Sequence, residues 1–175
     1  VSPRSAETLD RDLAALVAAD LVYRRRRHRH PSFVFRHALI RDTAYQSMLQ
    51  ATRQQVHRRI CGAIENRLPE LAAARPDLLA HHHAEGGQLP QALGYAEAAG
   101  QAALARSANR EALAQVHRAL DWLAALAEPA ARAAQELRLN SIATPALMAL
   151  EGYTSPQLAD FTRRSLALID QLGDV

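Results

Sequence analysis

Two triplets of small residues recur at the same offsets in this chain. Ala80, Ala92 and Ala99 are spaced by 12 and then 7 residues, and Gly100, Ala112 and Ala119 repeat that spacing. Side chains this small at helical intervals let paired helices approach closely, so the pattern predicts helical hairpins stacked on one another. Composition points the same way. Hydrophobic residues make up 49% of the 175 but aromatics only 5%, and Ala and Leu dominate. Ala has the best helix propensity and loses no side-chain entropy. The 7 Gly and 8 Pro in the whole chain argue against long turn-rich β structure.

The two triplets start 20 residues apart, whereas a regular tetratricopeptide repeat is about 34 residues long. A helix from Pro90 to about Ser107 therefore serves two hairpins, and the array is tetratricopeptide-like but irregular. Punctuation supports the element boundaries. Pro76 opens a helix that ends at Gly86-Gly87, because Gly tolerates the left-handed conformation at a helix C-terminus. Pro90 suits a first helical turn. Asn109 is expected to cap the next helix, which carries Leu113, Val116, Leu120 and Leu123. A further helix opens at Pro129, with an interruption expected near Pro145. The last one runs to Leu172.

The N-terminal part reads differently. Ser5 can cap a helix from Ala6 whose apolar face is Leu9, Leu13, Leu16 and Val17. Leu21-Val22-Tyr23 and Phe33-Val34-Phe35 are two β-favouring runs around a polar loop, which predicts a β-hairpin. Arg24, Arg25, Arg26, Arg27 and Arg29, with His28 and His30 between them, are expected at its tip. Helix followed by hairpin is the second half of a winged helix. The expected fold class is thus mainly α, with a partial winged helix over residues 1–36 and a tetratricopeptide-like helical region over 37–175.

Lys and Arg number 21 against 18 acidic residues, a net charge of +3. An excess this small does not by itself imply nucleic acid, so the clustering of the arginines is what matters. A basic wing can track phosphates, and binding would then weaken steeply with salt. The alternatives are a solvated loop that protects the hairpin edge, or an acidic partner surface. Cys61 is the single cysteine, which rules out an intrachain disulfide and suits a reducing cytoplasm. No apolar run reaches the roughly 18–20 residues that span a bilayer, so no membrane partner is expected. A first residue of Val1 rather than Met suggests a piece of something longer.

Candidate chemistry is sparse. His81-His82-His83 with Glu85 raises a metal reading, since His81 and Glu85 share a helix face. A closed zinc site usually takes four ligands, Cys61 is distant in sequence, and adjacent histidines point in different directions. Packing and hydrogen bonding are therefore the preferred role, and no metal or other cofactor is assigned. His37, Arg41, Asp42 and Tyr45 cluster at a helix start and are read as a domain-junction network. A catalytic reading would need a nucleophile with an oriented base, and neither is placed. Cys61 is read as a small buried hydrophobe, and Trp122 as an anchor between late helices.

Several stretches resemble a known family. They are FVFRHALIRDTAYQSML from Phe33, R-x-x-x-H-R-R-I from Arg53, PDLLAHHHAEGG, AGQAALARSANREAL and QELRLNSIATPALMALEGYTSPQL. Together these resemble the helical region of bacterial signalling ATPases that join a class III adenylate/guanylate cyclase domain to an AAA-type ATPase and tetratricopeptide-like repeats. The resemblance implies an upstream ATPase that binds ATP, then a winged helix, then a helical array that senses ligands or partners. This chain lacks G-x-x-x-x-G-K-[ST], so nucleotide hydrolysis is not carried over to it. The implied role is non-catalytic and regulatory, with cyclase or transcriptional output. The implied partners are a protein or peptide on the array and the parent's own ATPase domain. Nucleic acid on the arginine-rich wing is the alternative.

Overall fold

The computed structural model describes residues 5–26, 31–125 and 128–173, without the side chains of Arg26, Pro31 and Ala130. The chain is mainly α-helical with one two-stranded antiparallel sheet. It divides into two compact units, residues 1–56 and 57–175. The division falls inside a helix, downstream of the 36/37 boundary read from the sequence.

The first unit begins with α1 (Ala6–Ala18), capped by Ser5, whose hydroxyl accepts from the Thr8 N–H at 3.3 Å. Asp20 then turns the chain at φ 59°, a left-handed conformation that Asp tolerates better than most residues. Next come β1 (Val22–Arg26) and β2 (Pro31–Phe35), paired antiparallel with Tyr23 opposite Val34 and Arg24 opposite Phe33. Arg36 closes the base of the hairpin with a 2.6 Å ion pair to Asp20. After it come α2 (Ala38–Ser47) and the start of α3 (Gln50–Arg67). Val22 is buried, whereas Leu16, Val17, Phe33, Phe35 and Leu39 are exposed.

The second unit holds the rest of α3, then α4 (Pro69–Ala74), α5 (Pro76–Glu85), α6 (Leu89–Ala105), α7 (Asn109–Leu123), α8 (Pro129–Glu151) and α9 (Pro156–Gly173). From α5 onward each helix packs on the next, and α6 also touches α8. The connections are short, which makes neighbouring helices antiparallel. The α5–α6 turn places Gly87 at φ 72°, the conformation that Gly supplies without strain.

The small-residue triplets lie inside the core. Ala80, Ala92, Ala99, Gly100, Ala112 and Ala119 are all buried. At Gly100 the helices meet so closely that an added Cβ would stand 3.3 Å from Ile142 Cγ2. Leu79, Val116, Leu139, Ile142 and Leu147 fill the larger spaces and are 0–2% exposed.

Three local expectations are corrected. The strand β1 runs on through Arg24, Arg25 and Arg26, so these arginines belong to the ladder rather than to the hairpin tip. Asn109 is the first helical residue of α7, and the N-cap position falls to Ala108, which has no side-chain capping bond. Helix α8 continues through Pro145 without interruption. Pro145 removes the N–H that would meet the Ser141 carbonyl. Ser141 is exposed, so water can satisfy that carbonyl, while Ile142, Ala143, Ala146 and Leu147 hold both halves of the helix in the core.

Candidate functional site

A cleft of about 520 Å³ opens between α6 and α8, lined by Pro90, Leu93, Ala131, Ala134, Gln135 and Arg138, with Glu128 at its end. The two helices are not consecutive; each packs on α7, and they also touch one another. One rim is polar and held in place. The Glu97 carboxylate accepts from Gln135 Nε2 at 2.9 Å and from Arg138 Nε at 3.3 Å, and Arg138 also bonds to Gln135. An apolar floor with a few fixed polar groups is the usual make-up of a ligand or peptide site, and the volume falls within the range of such sites.

In the first unit, Arg24 and Arg25 are exposed on β1. Successive strand residues face opposite sides of a sheet, so these two do not form a one-sided basic row. Arg24 instead lines a hollow of about 530 Å³ with Phe33 and with Asp10, Leu13, Ala14 and Val17 of α1. Arg26 ends β1. Arg27 and Arg29 lie outside the described residues.

The expected junction residues sit around α2. His37 is exposed at the N-cap of α2 and makes no side-chain capping bond, and its carbonyl accepts from the Arg41 N–H at 3.3 Å. Arg41 Nε donates to Asp42 at 2.8 Å, and that carboxylate raises the guanidinium pKa further. The Tyr45 ring carries the Arg53 guanidinium at 5.4 Å.

The three histidines of α5 divide between two environments. His83 is buried and its ring stacks on Tyr95, with centroids 5.2 Å apart. His83 Nε2 and the Tyr95 hydroxyl both reach Glu65 Oε1, at 3.0 and 2.9 Å, and His83 Nδ1 lies 3.2 Å from Gln88 Oε1. This network ties α3, α5 and α6 together through His83.

His81 and His82 turn instead toward His57 of α3. Donor nitrogens of His57, His81 and His82 all lie within 4.8 Å of one another, and the two Nδ1 atoms of His57 and His82 are 2.9 Å apart. Burial lowers the His57 pKa, with Glu85 opposing and His81 adding to the shift. Burial, then the neighbouring His57 and His81, lower that of His82 to about 4. Sequence reading missed His57. Its one signal was its place in R-x-x-x-H-R-R-I, which says nothing of what it faces. Adjacent histidines do diverge by about 100° on a helix, but a third ring between them closes the gap.

Comparison with known proteins adds little to this geometry. No family model matches the chain, and no solved structure matches it. An uncharacterised protein of Rhizobium meliloti (strain 1021) is 31% identical over 124 residues, which is 71% of this chain. Those residues are 12% of that protein, so the chain spans about an eighth of the relative it matches. No described helix is long and apolar enough to cross a membrane.

Proposed function

We propose that this chain is a non-catalytic regulatory and partner-binding region of a multidomain signalling ATPase, with the α6–α8 cleft as its binding surface. The observation that carries the reading is that cleft: an apolar floor of Leu93, Ala131 and Ala134 beside a rim fixed by Glu97, Gln135 and Arg138. Helices satisfy their own backbone, so a stacked array can offer a long surface to a peptide or protein segment.

The resemblance of the motif strings to cyclase- and ATPase-linked helical regions supports the larger setting. So does the Rhizobium meliloti relative, in which a similar stretch occupies a small part of a much longer polypeptide. The apolar side chains left exposed on α1, the hairpin and α2 suit a unit that is covered by further protein. In this reading, nucleotide state in an upstream ATPase and ligand on the array bias one equilibrium, and the coupling is reciprocal. A cytoplasmic location follows from the same reading.

The test is ATP hydrolysis by the longest natural polypeptide that carries this segment. Ala134→Arg, which places a charge on the cleft floor, should change that rate several-fold, while the 175-residue chain alone hydrolyses nothing. Identical rates in the parent and the variant would refute the coupling.

The second reading, nucleic acid on the basic hairpin, draws on the exposed Arg24 and Arg25. It predicts duplex-DNA binding whose affinity falls linearly with salt on a log–log scale. Binding that is insensitive to salt would exclude it.

A further inference from the structure

We propose that His57, His81 and His82 form a binding site for a divalent transition-metal ion of the zinc class, which fastens α3 to α5. The site is independent of the regulatory reading, since it rests only on three side chains of the second unit.

Geometry comes first. The three donor nitrogens already lie within 4.8 Å of one another. Imidazole nitrogens about 2.0–2.1 Å from a tetrahedral zinc stand roughly 3.3 Å apart. The His57–His82 separation of 2.9 Å therefore has to open by a few tenths of an ångström, and His81 has to swing inward. His81 is exposed and free to do so. The ring centroids are 5.0 Å apart for His57–His82, 5.3 Å for His81–His82 and 5.9 Å for His57–His81. The three rings thus surround one point rather than lying along a row.

Chemistry comes second. Three imidazoles supply borderline nitrogen donors, which suit zinc, copper, nickel or cobalt. Magnesium and calcium take oxygen ligands instead. At present one Nδ1–H donates to the other ring's Nδ1. On metal binding the donor ring shifts its proton to Nε2, a change of tautomer, and both Nδ1 lone pairs face the ion.

The arrangement has an open side. His57 is buried, and it closes the site from the helix interface. His81, at the surface, leaves a fourth position to solvent. Three protein ligands and one free position is the open pattern of zinc coordination. His83 takes no part, since its nitrogens face Glu65 and Gln88.

The experiment is calorimetric titration of the untagged, metal-free chain with Zn²⁺, with Co²⁺ absorption reporting the geometry. We expect one equivalent bound in the micromolar range or tighter, a tetrahedral cobalt spectrum, a higher melting temperature with zinc, and no response to Mg²⁺. His81→Ala, at an exposed position, should leave the melting of the metal-free protein unchanged and weaken zinc binding by at least about tenfold. His57→Gln should do the same to zinc binding. The control His117→Ala, on exposed α7 surface, should have no effect. Absence of micromolar zinc binding by the folded chain would overturn the proposal. So would binding that survives His81→Ala undiminished, or that is lost in His117→Ala.

Discussion

Tyr95 stacks on His83 with planes 10° apart, and both side chains end on the same carboxylate oxygen of Glu65. Three helices thus converge on one acceptor. Tyr95→Phe keeps the stacking and removes one hydrogen bond, so it should cost about 1 kcal/mol. His83→Ala removes the buried ring, its stacking on Tyr95 and its bonds to Glu65 and Gln88, and should cost about 3 kcal/mol. Urea denaturation of the two variants checks the ordering. Equal losses would mean that the stacked pair does not hold α5 to α6.

Gly100 of α6 packs against Ile142 of α8. Gly100→Ala should be nearly neutral. Its Cβ meets the Ile142 methyl at 3.3 Å, a contact that Ile142 can relieve by a small shift, and the helix gains up to about 1 kcal/mol of propensity. Gly100→Leu cannot be relieved in that way and should lose about 3 kcal/mol or more. Thermal melts of the two variants decide. A stable Gly100→Leu would contradict close packing at this crossing.

Much of this core was legible in the sequence because size alone limits what two close helices can place between them. The buried triplets at Ala80 and Gly100 are the case in point, and Pro76, Gly86-Gly87 and Pro90 marked real boundaries because Pro fixes φ at a helix start and Gly alone takes the left-handed turn at Gly87 without strain. Pro145 misled because its local penalty is outweighed by burial of Ile142, Ala146 and Leu147 on either side. The arginines of β1 misled because strand pairing, not side-chain polarity, decides where a hairpin turns. The cleft and the meeting of His57 with His82 were illegible for a different reason. Both depend on how helices far apart in sequence are set against each other, and no periodicity encodes that.

Asp77 begins α5 with a two-pronged bond to Arg75, at 2.9 and 2.8 Å. The Arg75 hydrogen bonds outweigh partial burial and hold the Asp77 carboxyl below its ordinary value. A depressed folded pKa gives stability that is present above the unfolded value of 3.8 and is lost as pH falls through the folded one. Asp77→Asn should therefore cost up to about 1 kcal/mol at pH 7 and nothing measurable at the acid end. The difference in melting temperature between parent and variant, followed from pH 7 to pH 2, should close below pH 4. A constant difference would show that the charge is irrelevant.

Cys61 is 1% exposed, and burial, helped by the Glu65 charge, pushes its thiol up to about 11. The thiolate is the reactive form, so the native chain should resist alkylation at pH 8 and react at once in denaturant. The same shift favours the fold below the ordinary thiol value of 9.0 and is lost as pH rises toward 11. Mass-spectrometric counting of alkylated Cys61 checks both. Rapid native labelling at pH 8 would refute the buried placement.

The measurement that bears hardest on the binding role is selection of displayed peptides on the folded chain, followed by affinity measurements at low and high salt. Selected peptides should keep most of their affinity at high salt and lose at least about tenfold on Ala134→Arg, with the melting temperature of the variant unchanged. Peptides that bind the variant as well as the parent, or whose binding vanishes with salt, would contradict the assignment of the α6–α8 cleft as the partner surface.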